Sequence, residues 1–134
     1  MEDRKQQLVA AWLAKATSDL EAARLFIQRE HRLLDIAVFH CQQAAEKAIK
    51  AWLTSRDIVF PKTHDLEILL QLGAASEGGF ARFTHHARAL TPLASEFRYP
   101  GDLLEPSPER AAQALAFAEE IYAFCEQRIA AQQR

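Results

Sequence analysis

The chain predicts an all-α fold, an antiparallel up-and-down bundle of four main helices plus one short helix. Three observations carry that prediction. Apolar residues recur at spacings of three and four through most of the chain, no segment alternates apolar and polar residues over strand length, and the stretches between periodic segments are short.

The elements follow in order. In the first helix Val9, Leu13, Ala16, Leu20, Ala23 and Ile27 line one face, and the pattern ends near "REHRLLD". Asp35 can cap the second helix, where Ala37, Cys41, Ala44, Ala48 and Ala51 form a seam of small side chains that lets a neighbouring helix come close. Phe39, Ile49 and Leu53 lie roughly opposite that seam. A helix apolar on two sides is either central or half of an interface, so a homodimer is expected. "FPKTHDLEILLQLG" restarts the periodicity as the short helix, with Thr63 as its expected N-cap, Asp65 and Glu67 in the first turn, and Gly73 as the stop. A further helix runs from about Phe80, restarts at Thr91-Pro92 because proline removes an amide donor and crowds the preceding turn, and ends at Tyr99-Pro100-Gly101. The last helix has the clearest start signal, Ser107 followed by Pro108, and its stripe is Ala111, Leu115, Ala118, Tyr122, Cys125 and Ile129.

Composition bounds what such a bundle does. With 134 residues, 49% of them hydrophobic and 25% charged, the chain fits one globular domain over residues 1–134. A net charge of −2 without a strongly basic half argues against tight non-specific nucleic-acid binding driven by counterion release. No apolar run approaches the roughly 20 residues needed to cross a bilayer. The N-terminal segment lacks the apolar core of a signal peptide, and Cys41 and Cys125 stand apart without a CxxC spacing. The expectation is a cytoplasmic protein with free thiols and no membrane partner.

Two stretches carry polar groups that the bundle itself does not require. In "FHCQQAAEKAIKAWL", residues 39–53, His40, Gln43, Lys47 and Lys50 form a continuous stripe about 100° from the alanine seam. One reading is a solvated flank with Glu46 and Lys50 as an i,i+4 ion pair. The other is a donor-rich groove, with Gln43 and Lys47 suited to phosphate oxygens or base edges and His40 able to exchange a proton near neutral pH. In "EFRYPG", residues 96–101, the planar fork of Arg98 suits a carboxylate or phosphate and Tyr99 offers a stacking surface. Arg98 near a helix end also complements the dipole. His85 and His86 are adjacent and point apart on a helix, and no His or Cys pair has a zinc spacing, so no metal site or cofactor is expected. A Gly-rich phosphate loop and a G-x-S-x-G elbow are both missing.

The run "FHCQQAAEKAIKAWL", followed by "KTHDLEILL" and then "LASEFRYPGD", resembles the small prokaryotic HEPN domains over roughly residues 10–130. That resemblance implies an all-α bundle that dimerises and is commonly encoded beside a minimal nucleotidyltransferase. It also implies a place in a toxin-antitoxin-like pair, since many members of the wider family cleave RNA without a metal and are neutralised by the nucleotidyltransferase. The signature of the ribonuclease members is Arg followed by His after four to six residues, late in the chain. Here no His follows Arg98 in that window, and the one literal match, Arg24 with His31, lies in the first helical segment, where chance supplies about one such match in a chain of this composition. Two readings result. One is a dimeric, non-catalytic module that binds a nucleotide, or a nucleotidyltransferase partner, through His40, Gln43, Lys47, His64, Arg98 and Tyr99. The other is an RNA-cleaving toxin with a divergent site, in which Arg98 stabilises the phosphate and His40 or His64 moves the proton. If His40, Gln43 and Lys47 serve a site, alanine at each is expected to cost within about 0.5 kcal/mol, as exposed substitutions do.

Overall fold

The computed structural model describes residues 2–97, 100 and 105–133. Among them the regular structure is entirely helical: α1 (Glu2–Ile27), α2 (Leu34–Ser55), α3 (Leu66–Ala74), α4 (Thr84–Leu90) and α5 (Pro108–Gln132), with 3-10 turns at Arg29–His31, Gly78–Phe83 and Thr91–Ala94. The expected all-α bundle is what the chain forms.

Side-chain pairings give the direction of the helices. Along α1 from Lys5 through Trp12 to Asp19, the partners on and just beyond α2 step back from Asp57 through Lys50 to Lys47 and His40, so the two helices are antiparallel. Helix α5 is antiparallel to α1 as well, since Thr17 meets Tyr122 and Arg24 meets Glu119. The α1 stripe packs as its spacing requires, with Val9, Ala16, Leu20 and Ala23 buried and Leu13 and Ile27 partly so.

Helix α2 sits in the middle. Its alanine seam is fully buried, and so are Ile49 and Leu53 of the opposite face, while Phe39 of that face is half-buried. Ile49 and Leu53 are therefore covered within one chain, where α2 meets α1, α3, α5 and the turn at Thr91–Ala94. The central position thus accounts for Ile49 and Leu53.

Local start and stop signals were partly misplaced. Helix α2 begins one residue before Asp35, with Leu33 at the N-cap position and no side-chain cap, so Asp35 complements the dipole of the first turn instead of capping. The cap of α3 is Asp65, whose carboxylate accepts from the Glu67 amide at 2.9 Å, while Thr63 accepts from Asp65 N at 3.1 Å one step earlier. Gly73 does not stop α3. It lies buried in the last turn, where an added Cβ would stand 2.9 Å from a ring carbon of Phe80 and 3.3 Å from Trp52. Glycine is there for close approach: Phe80 sits edge-on between Trp52 and Phe124, with ring centroids 4.7 and 4.9 Å away. The segment from Phe80 opens as a 3-10 turn and is α-helical only over Thr84–Leu90, and Pro92 then starts another 3-10 turn. Its expected end falls on residues outside the described set. Ser107 caps α5 as expected, accepting from Arg110 N at 3.0 Å, with Pro108 at the first position.

Candidate functional site: a polar layer on the central helix

Two carboxylates are buried beside α2, one from each of the antiparallel helices, and each gathers a histidine and a lysine. Asp19, 7% exposed, accepts from His40 Nδ1 and from Lys47 Nζ, both at 2.7 Å. Glu46, 4% exposed, accepts from His64 Nδ1 at 2.7 Å and from Gln42 Nε2 at 3.2 Å on Oε1, and from Lys50 Nζ at 3.0 Å on Oε2. A buried carboxylate is tolerated only when paired and hydrogen-bonded, and both are. The Lys50 ammonium also lies 5.7 Å above the rings of Trp12 and Phe60, so an aromatic cage shields the second pair.

A chain of amides links the layer to the loop before α3. Gln43 Nε2 donates to Gln42 Oε1 at 2.7 Å, and Gln42 Nε2 donates in turn to the His64 backbone carbonyl at 2.9 Å. His64 is thus held twice from beneath, at its backbone by Gln42 and at its ring by Glu46, although its side chain is 69% exposed. A carboxylate can only accept, so the proton on Nδ1 is directed at Glu46 and Nε2 faces away from it.

Of the six residues expected at the site, four fall in this layer: His40, Gln43, Lys47 and His64. Arg98 and Tyr99 lie outside the described residues. The Glu46–Lys50 pair is formed, but its side chains are 5% and 9% exposed, so it is not the solvated flank pair of the sequence reading. The cations on α2 are already answered by internal anions. Sequence reasoning missed Asp19 and Gln42. Asp19 stands three residues after Ala16 and four before Ala23, on the buried side of α1, and a charged residue in a core register was the available signal. Gln42 carried none beyond its place next to Cys41.

The layer is an open face. The larger clefts among the described residues lie elsewhere, for example between Arg4 and Leu8 at the start of α1 and Thr54 and Asp57 at the end of α2. No group of three metal-ligating side chains occurs among the described residues, and no described helix is long and apolar enough to cross a membrane. Arg24, of the literal Arg–His match, gives both Nε and Nη2 to Glu119 at 3.1 and 2.7 Å and so is part of the α1–α5 contact.

Comparisons with known proteins agree with this architecture. The crystal structure of an archaeal HEPN homologue superimposes with a TM-score of 0.69 at 26% identity, covering 90% of this chain and 97% of that one. No curated protein matches the chain. The family profile described as the HEPN domain matches residues 9–128, which takes in α2, the polar layer and most of α1 and α5, and the chain belongs to the HEPN domain family.

Proposed function

We propose that the chain is a cytoplasmic HEPN module, one unit over residues 1–134. It works as a homodimer and binds a nucleotide, or a nucleotidyltransferase partner in a toxin-antitoxin-like pair, through the polar layer of α2. The observation that carries this reading is the layer itself: two buried carboxylates, Asp19 of α1 and Glu46 of α2, hold two lysines and two histidines, one of them the exposed His64. A core needs no such arrangement, since apolar residues of similar volume would pack the same space at no desolvation cost. Asp19 already pairs with His40 and Lys47, so the groups left to meet a phosphate are His64 and Gln43, with Arg98 and Tyr99 proposed to complete the site from the segment before α5. RNA cleavage of the usual HEPN type has less support, because no Arg–His pair of the required spacing follows Arg98 and Arg24 is bound to Glu119.

The test is a calorimetric titration of the purified protein with ATP and with short RNAs, with light scattering on the same samples. Arg98→Ala is expected to keep helicity and dimer mass while weakening binding about tenfold or more, because a charge-assisted bidentate contact contributes on the order of 1.5 to 3 kcal/mol. Arg98→Lys should recover only part of that loss, since lysine keeps the charge without the fork. A monomeric mass at micromolar concentration would remove the dimer. Equal affinity of wild type and Arg98→Ala would remove that residue from the site.

A further inference from the structure

The five histidines of the chain occupy different environments, and the comparison singles one out. His31 and His85 are exposed and their rings have no carboxylate partner among the described residues. His86 gives Nε2 to Glu120 at 3.2 Å, stacks on Phe117 with ring centroids 4.1 Å apart, and buries Nδ1 without a partner. His40 is braced by Asp19, but its side chain is 27% exposed and it shares that carboxylate with Lys47. Only His64 combines a brace at Nδ1 from a nearly buried carboxylate with an open ring, and its Nε2 has no protein partner among the described residues.

That combination is what a nucleophilic imidazole needs. The Nδ1 proton is committed to Glu46, so the lone pair resides on the outward Nε2, and the carboxylate is placed to absorb the positive charge that the ring gains when Nε2 forms a bond. Lys50 and Gln42 keep Glu46 in position, and Gln42 fixes the His64 backbone, so the ring loses little freedom on reaction. Two residues earlier Lys62 is exposed and has no acidic partner among the described residues, a free cation next to the place where an anionic group would arrive. An incoming phosphoryl group carries close to two negative charges and fits that balance better than a neutral acyl group does.

We propose that His64, held by Glu46, is a phosphoryl-acceptor site that reacts with small phosphoryl donors of the acyl phosphate class. In the step, the Nε2 lone pair forms an N–P bond while the P–O bond to the donor's acyl oxygen breaks. The carboxylate leaves with the bonding electrons, and the imidazolium that results keeps its Nδ1 proton hydrogen-bonded to Glu46. The site does not need Arg98; it shares His64 with the proposed nucleotide binding, and its labelling is read separately from that binding.

The experiment is incubation of the full chain with acetyl phosphate at neutral pH. Phosphorus NMR then detects N-phosphoryl signals, and peptide mass spectrometry under non-acidic conditions locates them. His64 is expected to be labelled about tenfold or more faster than His31 and His85 in the same molecule, as an oriented nucleophile should be. Glu46→Gln is expected to slow labelling of His64 while leaving His31 and His85 unchanged, and His64→Gln to abolish the main signal. The ratio within the wild-type protein needs no variant, so a Glu46→Gln chain that fails to fold leaves the test intact. No labelling, or equal labelling of His64, His31 and His85, overturns the proposal, and a folded Glu46→Gln protein labelled at the wild-type rate does so too. Failure of ATP or RNA binding in the separate titration would leave this result untouched.

Discussion

At the scale of single residues, Asp19 shows how the polar layer differs from an ordinary surface. An exposed ion pair such as Arg88–Glu67, with the arginine 68% exposed, contributes at most about 1 kcal/mol. Asp19 is different because its side chain is 9% exposed and its charge rests on two partners, neither of them freely solvated. Removing one partner leaves a nearly buried carboxylate short of a donor. Lys47→Met, which keeps the apolar stem and deletes the ammonium, is therefore expected to destabilise the fold by about 1 to 3 kcal/mol, read as a lower urea midpoint. Adding Asp19→Asn to that variant should recover part of the loss, which a purely additive pair of surface changes would not do. This outcome departs from what exposure inferred from the helical stripe suggests, namely a cost within about 0.5 kcal/mol. The stripe was legible in the sequence. What it pairs with was not, because Asp19 is 28 residues away on another helix and only the antiparallel α1–α2 packing brings it to Lys47.

At the scale of elements, the short helix α3 and the turn after it form a unit of aromatic packing. Gly73 lets Phe80 lie against the end of α3, and the ring that would meet a new Cβ is fully buried between Trp52 and Phe124, with no room to swing aside. Gly73→Ala raises helix propensity yet is expected to destabilise by about 1 to 3 kcal/mol through overpacking. A Tm equal to or above wild type would show that the ring can yield. The same reasoning extends to the seam of α2, where Ala44 and Ala48 are fully buried against neighbouring helices and a leucine at either has nowhere to go. These small-residue positions were legible from spacing alone. The boundaries of α2, α3 and α4 were less so, since Leu33 supplies no cap, Asp65 competes with Thr63, and a 3-10 turn carries the same apolar spacing over six residues as an α-helix does.

At the scale of the whole molecule, one buried cluster draws on every α-helix, and both thiols lie inside it. Burial pushes the Cys41 thiol up to about 12, with the Glu119 charge adding to it, and burial raises Cys125 further still. A thiol raised in the folded state keeps its full stabilising contribution below the ordinary value of 9.0 and loses it as pH climbs from there towards 12. Ellman's reagent at pH 8 is thus expected to find no reactive thiol in the native protein and two after denaturation, with stability falling above pH 9 and falling less in Cys41→Ala. The fold class, the helix order and the family were all readable from periodicity and three short segments. Of the α2 face from which a dimer is expected, Ile49 and Leu53 are covered within one chain and Phe39 is half-buried; periodicity reports that a face is apolar without reporting what covers it.

The central position of α2 has one more consequence. A helix packed against several neighbours opens mainly when the bundle does, whereas surface helices fray and breathe locally. Glu46 and Gln42 are buried residues of that helix, so the ring and backbone of His64, although it lies in an exposed loop, are anchored to the packed interior of the molecule. Whatever meets His64 encounters a preorganised group whose ordering entropy was lost during folding, and association then costs less than it would at a loop ordered only by the ligand.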